Sequence, residues 1–70
     1  MTKTSISSLA KRIESLRKKQ GLSQEKLARL SDVSNNTIIN IEAGINENPT
    51  IETLRKIAKA FGVSVEELVK

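Results

Sequence analysis

Residues 33–44 read VSNNTIINIEAG, and the side-chain amides of Asn35, Asn36 and Asn40 are the most chemically specific groups in the chain. An amide donates and accepts at once, which matches the adjacent acceptor and donor that adenine shows in the major groove of a duplex. Ile39 lies among them and can pack on a thymine methyl without any charge. This is the chemistry of recognition, not of bond making. The sequence has no His and no Cys, no Gly-rich phosphate loop, and no carboxylate cluster with a base partner. No catalytic residue, metal ligand or cofactor site is therefore expected. The hydroxyls of Ser23 and Ser34 are explained as helix caps.

Seventy residues make one small domain. Phe61 is the only aromatic residue, so burial falls to Leu, Ile, Val and Ala, which suits helix packing better than a sheet. The absence of cysteine points to a reducing compartment, and no apolar run approaches the roughly 18 residues of a membrane span. A soluble cytoplasmic protein is expected, with no membrane partner. Residues 1–30 carry eight basic side chains against Glu14 and Glu25, net +6, whereas residues 31–70 are net −2. Such asymmetry suits a polyanion on one side, although an ordinary solvated surface explains it as well.

The elements that must carry the asparagines follow from periodicity and caps. Gly21, Gly44 and Gly62 each close an amphipathic segment. A first helix is predicted over 8–20, with Leu9, Ile13 and Leu16 inward and cations in its last turn. Ser23 opens a second helix with Leu27 and Ala28 inward, Asp32 stands at a turn, and Ser34 opens a third from Asn35 to Ala43. The short connection is that of a helix-turn-helix corner. INENP is a loop. Thr50 then caps a fourth helix with an apolar stripe of Ile51, Leu54, Ile57, Ala58 and Phe61. A capping box from Ser64 to Glu67 opens the fifth. The fold class is all-α, with a flexible segment over 1–7 and a single domain over 8–69.

At 100° per residue, Ile38, Ile41 and Glu42 share the packed side of the third helix. Asn36, Asn40, Ile39 and Ala43 fall opposite, with Asn35 exposed at the N-terminal end. A helix facing only water would carry Glu, Lys or Arg there.

GLSQEKLARLSDVSNNTIINIEAG resembles the helix-turn-helix of the Cro and phage-repressor family, also called Xre, and PTIETLRKIAKAFGVSVEEL is similar to the last two helices of that fold. The resemblance covers about residues 8–69 and implies a five-helix, lambda-repressor-like domain that binds double-stranded DNA. It implies base contacts from Asn35, Asn36 and Asn40, in agreement with the angular reading, with Ile39 beside them. Gln24 would bond a phosphate at the start of the second helix. Ser34 and Thr37 fall on the phosphate side too, although Thr37 can equally pack at the helix edge. Arg17 and Glu42 match a pair that in some phage repressors joins the first and third helices. Asp32 occupies a corner where the family commonly has Gly, and Glu47 stands where a cation would grip phosphate.

The resemblance implies a transcriptional regulator, read here as a repressor, that lays residues 35–43 in the major groove. Useful specificity asks for a homodimer on a palindromic operator. The domain itself would supply the interface, with Val69 of the fifth helix a better candidate than Val65 or Leu68. An antitoxin or adaptor module whose main partner is a protein, as in a toxin–antitoxin pair, is the alternative.

Overall fold

The structure, a computed structural model, describes residues 4–46 and 48–69. Among them are five helices and no strand: α1 (Thr4–Lys19), α2 (Gln24–Ser31), α3 (Asn35–Glu42), α4 (Ile51–Phe61) and α5 (Val65–Val69). No helix among the described residues is long and apolar enough to cross a membrane.

The helix starts are made by single hydroxyls. Ser23, Ser34, Thr50 and Ser64 sit just ahead of α2 to α5, and each accepts the N–H three residues on, at 3.0 to 3.3 Å. One of the orphan donors of each first turn is thereby satisfied.

The helix ends repeat one device. After α1, α2 and α4, the residues Gly21, Asp32 and Gly62 turn left-handed, with φ of 70°, 59° and 79°. The N–H of the next residue then reaches back to the carbonyl five positions earlier: Leu22 to Arg17, Val33 to Ala28, and Val63 to Ala58. Those three apolar residues pack against the core, the hydrophobic contact that commonly accompanies this motif. Sequence thus sets both where each helix stops and where the chain goes next.

The core is aliphatic. Ile13, Leu27, Ile38, Ile41, Ile57 and Leu68 are fully buried, with Phe61, Leu54, Ala10, Ala28 and Ala58 around them. Helix α2 packs on both α3 and α4, α1 packs on α3 and α5, and α4 closes on α5. The buried hydroxyl of Ser31 donates to the carbonyl of Leu27 at 2.7 Å, so no polar group is stranded there.

Two features differ from expectation. Helix α1 begins at Thr4, not at residue 8, and so takes in part of the segment read as flexible. Serine is only a mildly poor helix former, and a helix anchored by Ala10 and Ile13 propagates backward at one hydrogen bond per residue. The rest of that segment, residues 1–3, lies outside the described residues, as does Glu47. Ile51, placed on the apolar stripe of α4, is 57% exposed. It is the first residue of its helix and overhangs the end of the core.

Candidate nucleic-acid interface

Helix α3 presents two unlike faces. Ile38 and Ile41 are buried beneath it, whereas Asn35 and Asn36 are exposed and Ile39 is 37% exposed. Asn40, expected on the outer face, is half-buried. Its main-chain carbonyl accepts from the N–H of Ile45 at 2.9 Å and of Asn46 at 3.0 Å, tying the chain's exit to the helix. The exposed face of α3 carries amides and one apolar side chain, but no charge.

The single charged residue of α3 is turned inward. Glu42 receives the Arg17 Nε–H on Oε2 at 2.7 Å and the Arg17 Nη2–H on Oε1 at 3.0 Å. The two side chains are 11% and 5% exposed. A lone carboxylate at that depth would be costly, and the two-pronged guanidinium is the geometry that offsets it. The hydrogen bond to Glu42 outweighs desolvation and holds the Arg17 guanidinium above its ordinary value. Arg17 also donates from Nη1 to the carbonyl of Leu22 at 2.8 Å, so the pair fixes α3 to the end of α1.

Gln24 joins the same carboxylate. Its Nε2 donates to Glu42 Oε1 at 3.0 Å, a link that sequence reasoning did not find. Residues 18 positions apart meet only once α2 and α3 are oriented, so no local pattern signals it. The amide has two hydrogens, and one of them remains to donate outward at the start of α2.

At the start of α3, Ser34 accepts the Thr37 N–H at 3.1 Å, and the two hydroxyl oxygens lie 2.8 Å apart. One hydroxyl donates to the other, which leaves a single hydroxyl hydrogen in the pair for an outside acceptor. Both residues therefore combine a structural bond with a remaining donor. Asp32 takes the left-handed corner between α2 and α3 with φ 59° and ψ 43°.

Three cations of the N-terminal half lie elsewhere. Lys11, Arg12 and Lys19 line a shallow groove of about 450 Å³ between α1 and Glu67 of α5. At 100° per residue they lie on the opposite side of α1 from Arg17, and hence from α3. Three of the eight basic side chains of residues 1–30 thus sit on a face of α1 turned away from α3.

A family model described as helix-turn-helix matches residues 13–68. The chain is 40% identical to the HTH-type transcriptional regulator PuuR of Escherichia coli over 57 residues, which cover 81% of this chain and 30% of PuuR. It is also 40% identical to the cryptic phage CTXphi transcriptional repressor RstR of Vibrio cholerae over 58 residues, 83% of this chain and 51% of RstR. The chain therefore spans less than a third of PuuR and about half of RstR. Among solved structures, the restriction-modification controller protein C.AhdI from Aeromonas hydrophila superimposes with a TM-score of 0.87 at 30% identity. That match covers 94% of this chain and 98% of C.AhdI.

Proposed function

This chain belongs to the helix-turn-helix family of Cro and phage-repressor type, and from that premise we propose that it is a sequence-specific DNA-binding transcriptional regulator, acting as a repressor in the cytoplasm. The observation that carries the reading is the face of α3. It offers Asn35, Asn36 and Ile39 outward while its one carboxylate is neutralised beneath by Arg17.

In this proposal α3 enters the major groove. Asn35, Asn36 and Asn40 read base edges, and Ile39 packs on a thymine methyl. Gln24 meets a phosphate through the amide hydrogen that Glu42 does not use, beside the N-terminal dipole of α2. Ser34 and Thr37 offer their remaining hydroxyl hydrogen to a second phosphate. Arg17 and Glu42 touch no DNA and hold the angle of the reading helix. A single reading helix covers few base pairs, so two copies bind a palindromic operator with half-sites about 34 Å apart.

Selection of binding sites from a random duplex library, followed by titration at several salt concentrations, tests the proposal. The expected outcome is a palindromic motif with adenine and thymine at the positions facing α3. A steep salt dependence with no base preference would leave only the non-specific phosphate term and overturn it.

A further inference from the structure

Among the described residues, five large apolar side chains are exposed: Leu30, Ile39, Ile45, Ile51 and Val69. Ile39 belongs to the face of α3 proposed to meet DNA. Ile45, 72% exposed, follows the left-handed Gly44 as Leu22, Val33 and Val63 follow the left-handed residues at the other helix ends. Leu30, 53% exposed, stands in a different setting. It lines an open groove of about 420 Å³, together with Ser31 and Asp32 at the end of α2 and with Lys56, Lys59 and Ala60 of α4.

The groove combines that apolar side chain with unpaired cations. Ion pairs among the described residues join Arg17 to Glu42, Lys18 to Glu14 and Arg29 to Glu25, and none reaches Lys56 or Lys59. Lys26, exposed and equally unpaired among the described residues, lies one turn before Leu30 on the same side of α2. Three ammonium groups thus flank one exposed Leu, against the single carboxylate of Asp32 in the groove. The occupant that complements both features carries an apolar side chain with carboxylates beside it. A nucleic-acid backbone would neutralise the lysines but leave Leu30 uncovered, and a second copy meeting this surface face to face would oppose lysine to lysine.

We infer that this groove binds an acidic segment of a partner protein. One aliphatic or aromatic side chain of that segment seats on Leu30 and Ala60, and its Asp or Glu carboxylates meet Lys56, Lys59 and Lys26. The groove lies away from α3. Gln24, six positions before Leu30, is about 120° from it around α2, and the Gln24 amide bonds Glu42 of α3 at 3.0 Å. Helix α2 packs on both α3 and α4, so the groove along α4 opens on the flank of α2 turned from α3. An acidic partner and a duplex on α3 therefore do not compete for the same surface, and the inference does not depend on the DNA reading.

Random peptides displayed on phage and selected on the whole chain supply the probe, and fluorescence anisotropy of the recovered peptides, made synthetically with a label, measures their binding. The expected consensus is a Leu, Ile or Phe flanked by Asp or Glu. Binding should fall at least about tenfold in Lys59→Glu and about threefold in Leu30→Ala, yet stay within about twofold in Lys19→Glu, the same charge reversal on the outer face of α1. Asp32→Asn removes the groove's own carboxylate at a left-handed position that Asn tolerates, and should strengthen binding about twofold to threefold. All four altered side chains are exposed, and circular dichroism verifies the fold of each variant. A selection that recovers no acidic peptide overturns the inference. So do equal losses in Lys59→Glu and Lys19→Glu, which mark general attraction to a basic domain, and binding that ignores Leu30→Ala. Duplex affinity that falls about tenfold in Lys59→Glu would make the groove a nucleic-acid contact, and peptide affinity that falls as the chain is concentrated would give it to a second copy; either result overturns the inference.

Discussion

Arg17 and Glu42 meet through two parallel hydrogen bonds, of 2.7 and 3.0 Å, across the boundary between α1 and α3. Their contribution to stability and their contribution to geometry can be separated. Arg17→Met strands a carboxylate that is 5% exposed, with Gln24 as its remaining partner. Urea unfolding should show a loss of about 3 kcal/mol. In Arg17→Met with Glu42→Leu no charge is stranded, and most of that stability should return. DNA affinity should not return with it, because α3 then lacks its tether. A double variant that binds DNA like the wild type would show the pair to be merely structural.

Asn36 and Gln24 should fail in different ways. In the proposed complex Asn36 reads a base edge, so Asn36→Ala is expected to relax preference at one base position by about 1 to 3 kcal/mol. In the proposed complex Gln24 donates to a phosphate, so Gln24→Ala should weaken all duplexes alike. Competition among single-base variants of the selected site distinguishes the two patterns. A Gln24→Ala variant with altered base preference would mean that the link to Glu42 aims α3.

For Ile39, the informative change is in the DNA. Replacement of thymine by uracil at the facing position deletes a methyl group and should cost the wild type about 0.8 kcal/mol, the usual value of one buried carbon. Ile39→Ala should bind both duplexes equally. Equal binding of both by the wild type would remove Ile39 from the readout.

The left-handed helix ends yield a pair of opposite substitutions. A Cβ at Gly62 would meet nothing within 4 Å, so Gly62→Ala isolates the backbone cost of φ +79°. A loss of about 1 kcal/mol is expected, equivalent to roughly 4 to 8 °C for a domain of this size. At Asp32, where φ is 59°, glycine relieves the same strain, and Asp32→Gly should gain about 0.5 to 1 kcal/mol. Thermal unfolding measures both. A destabilised Asp32→Gly would indicate that chain entropy outweighs strain at that corner.

What could be read in the sequence was local. Ser23, Ser34, Thr50 and Ser64 announce their helices because a hydroxyl reaches an N–H only three residues away. Angle alone puts Ile38 and Ile41 inward and Asn36 outward, and the first two are buried and the third exposed. The same angular rule failed for Ile51, because periodicity describes direction around a helix and says nothing of where the core ends along it. The Gln24 bond to Glu42, and that of the Gln20 amide to the Phe61 carbonyl at 3.0 Å, join separate helices and exist only after packing. The exposure of Ile45 was equally hidden, since Leu22, Val33 and Val63 occupy the same place in the same motif and are packed.

The carbonyl of Asn40, by holding the N–H groups of both Ile45 and Asn46, also divides the following connection into two parts of unequal tolerance. A residue inserted between Ala43 and Ile45 would break both bonds and redirect the chain as it leaves α3. A residue inserted between Asn48 and Thr50 would lengthen only the stretch beyond that clasp, at a small entropic cost. Relatives with longer connections can therefore keep α3 unchanged when the added length falls on the α4 side.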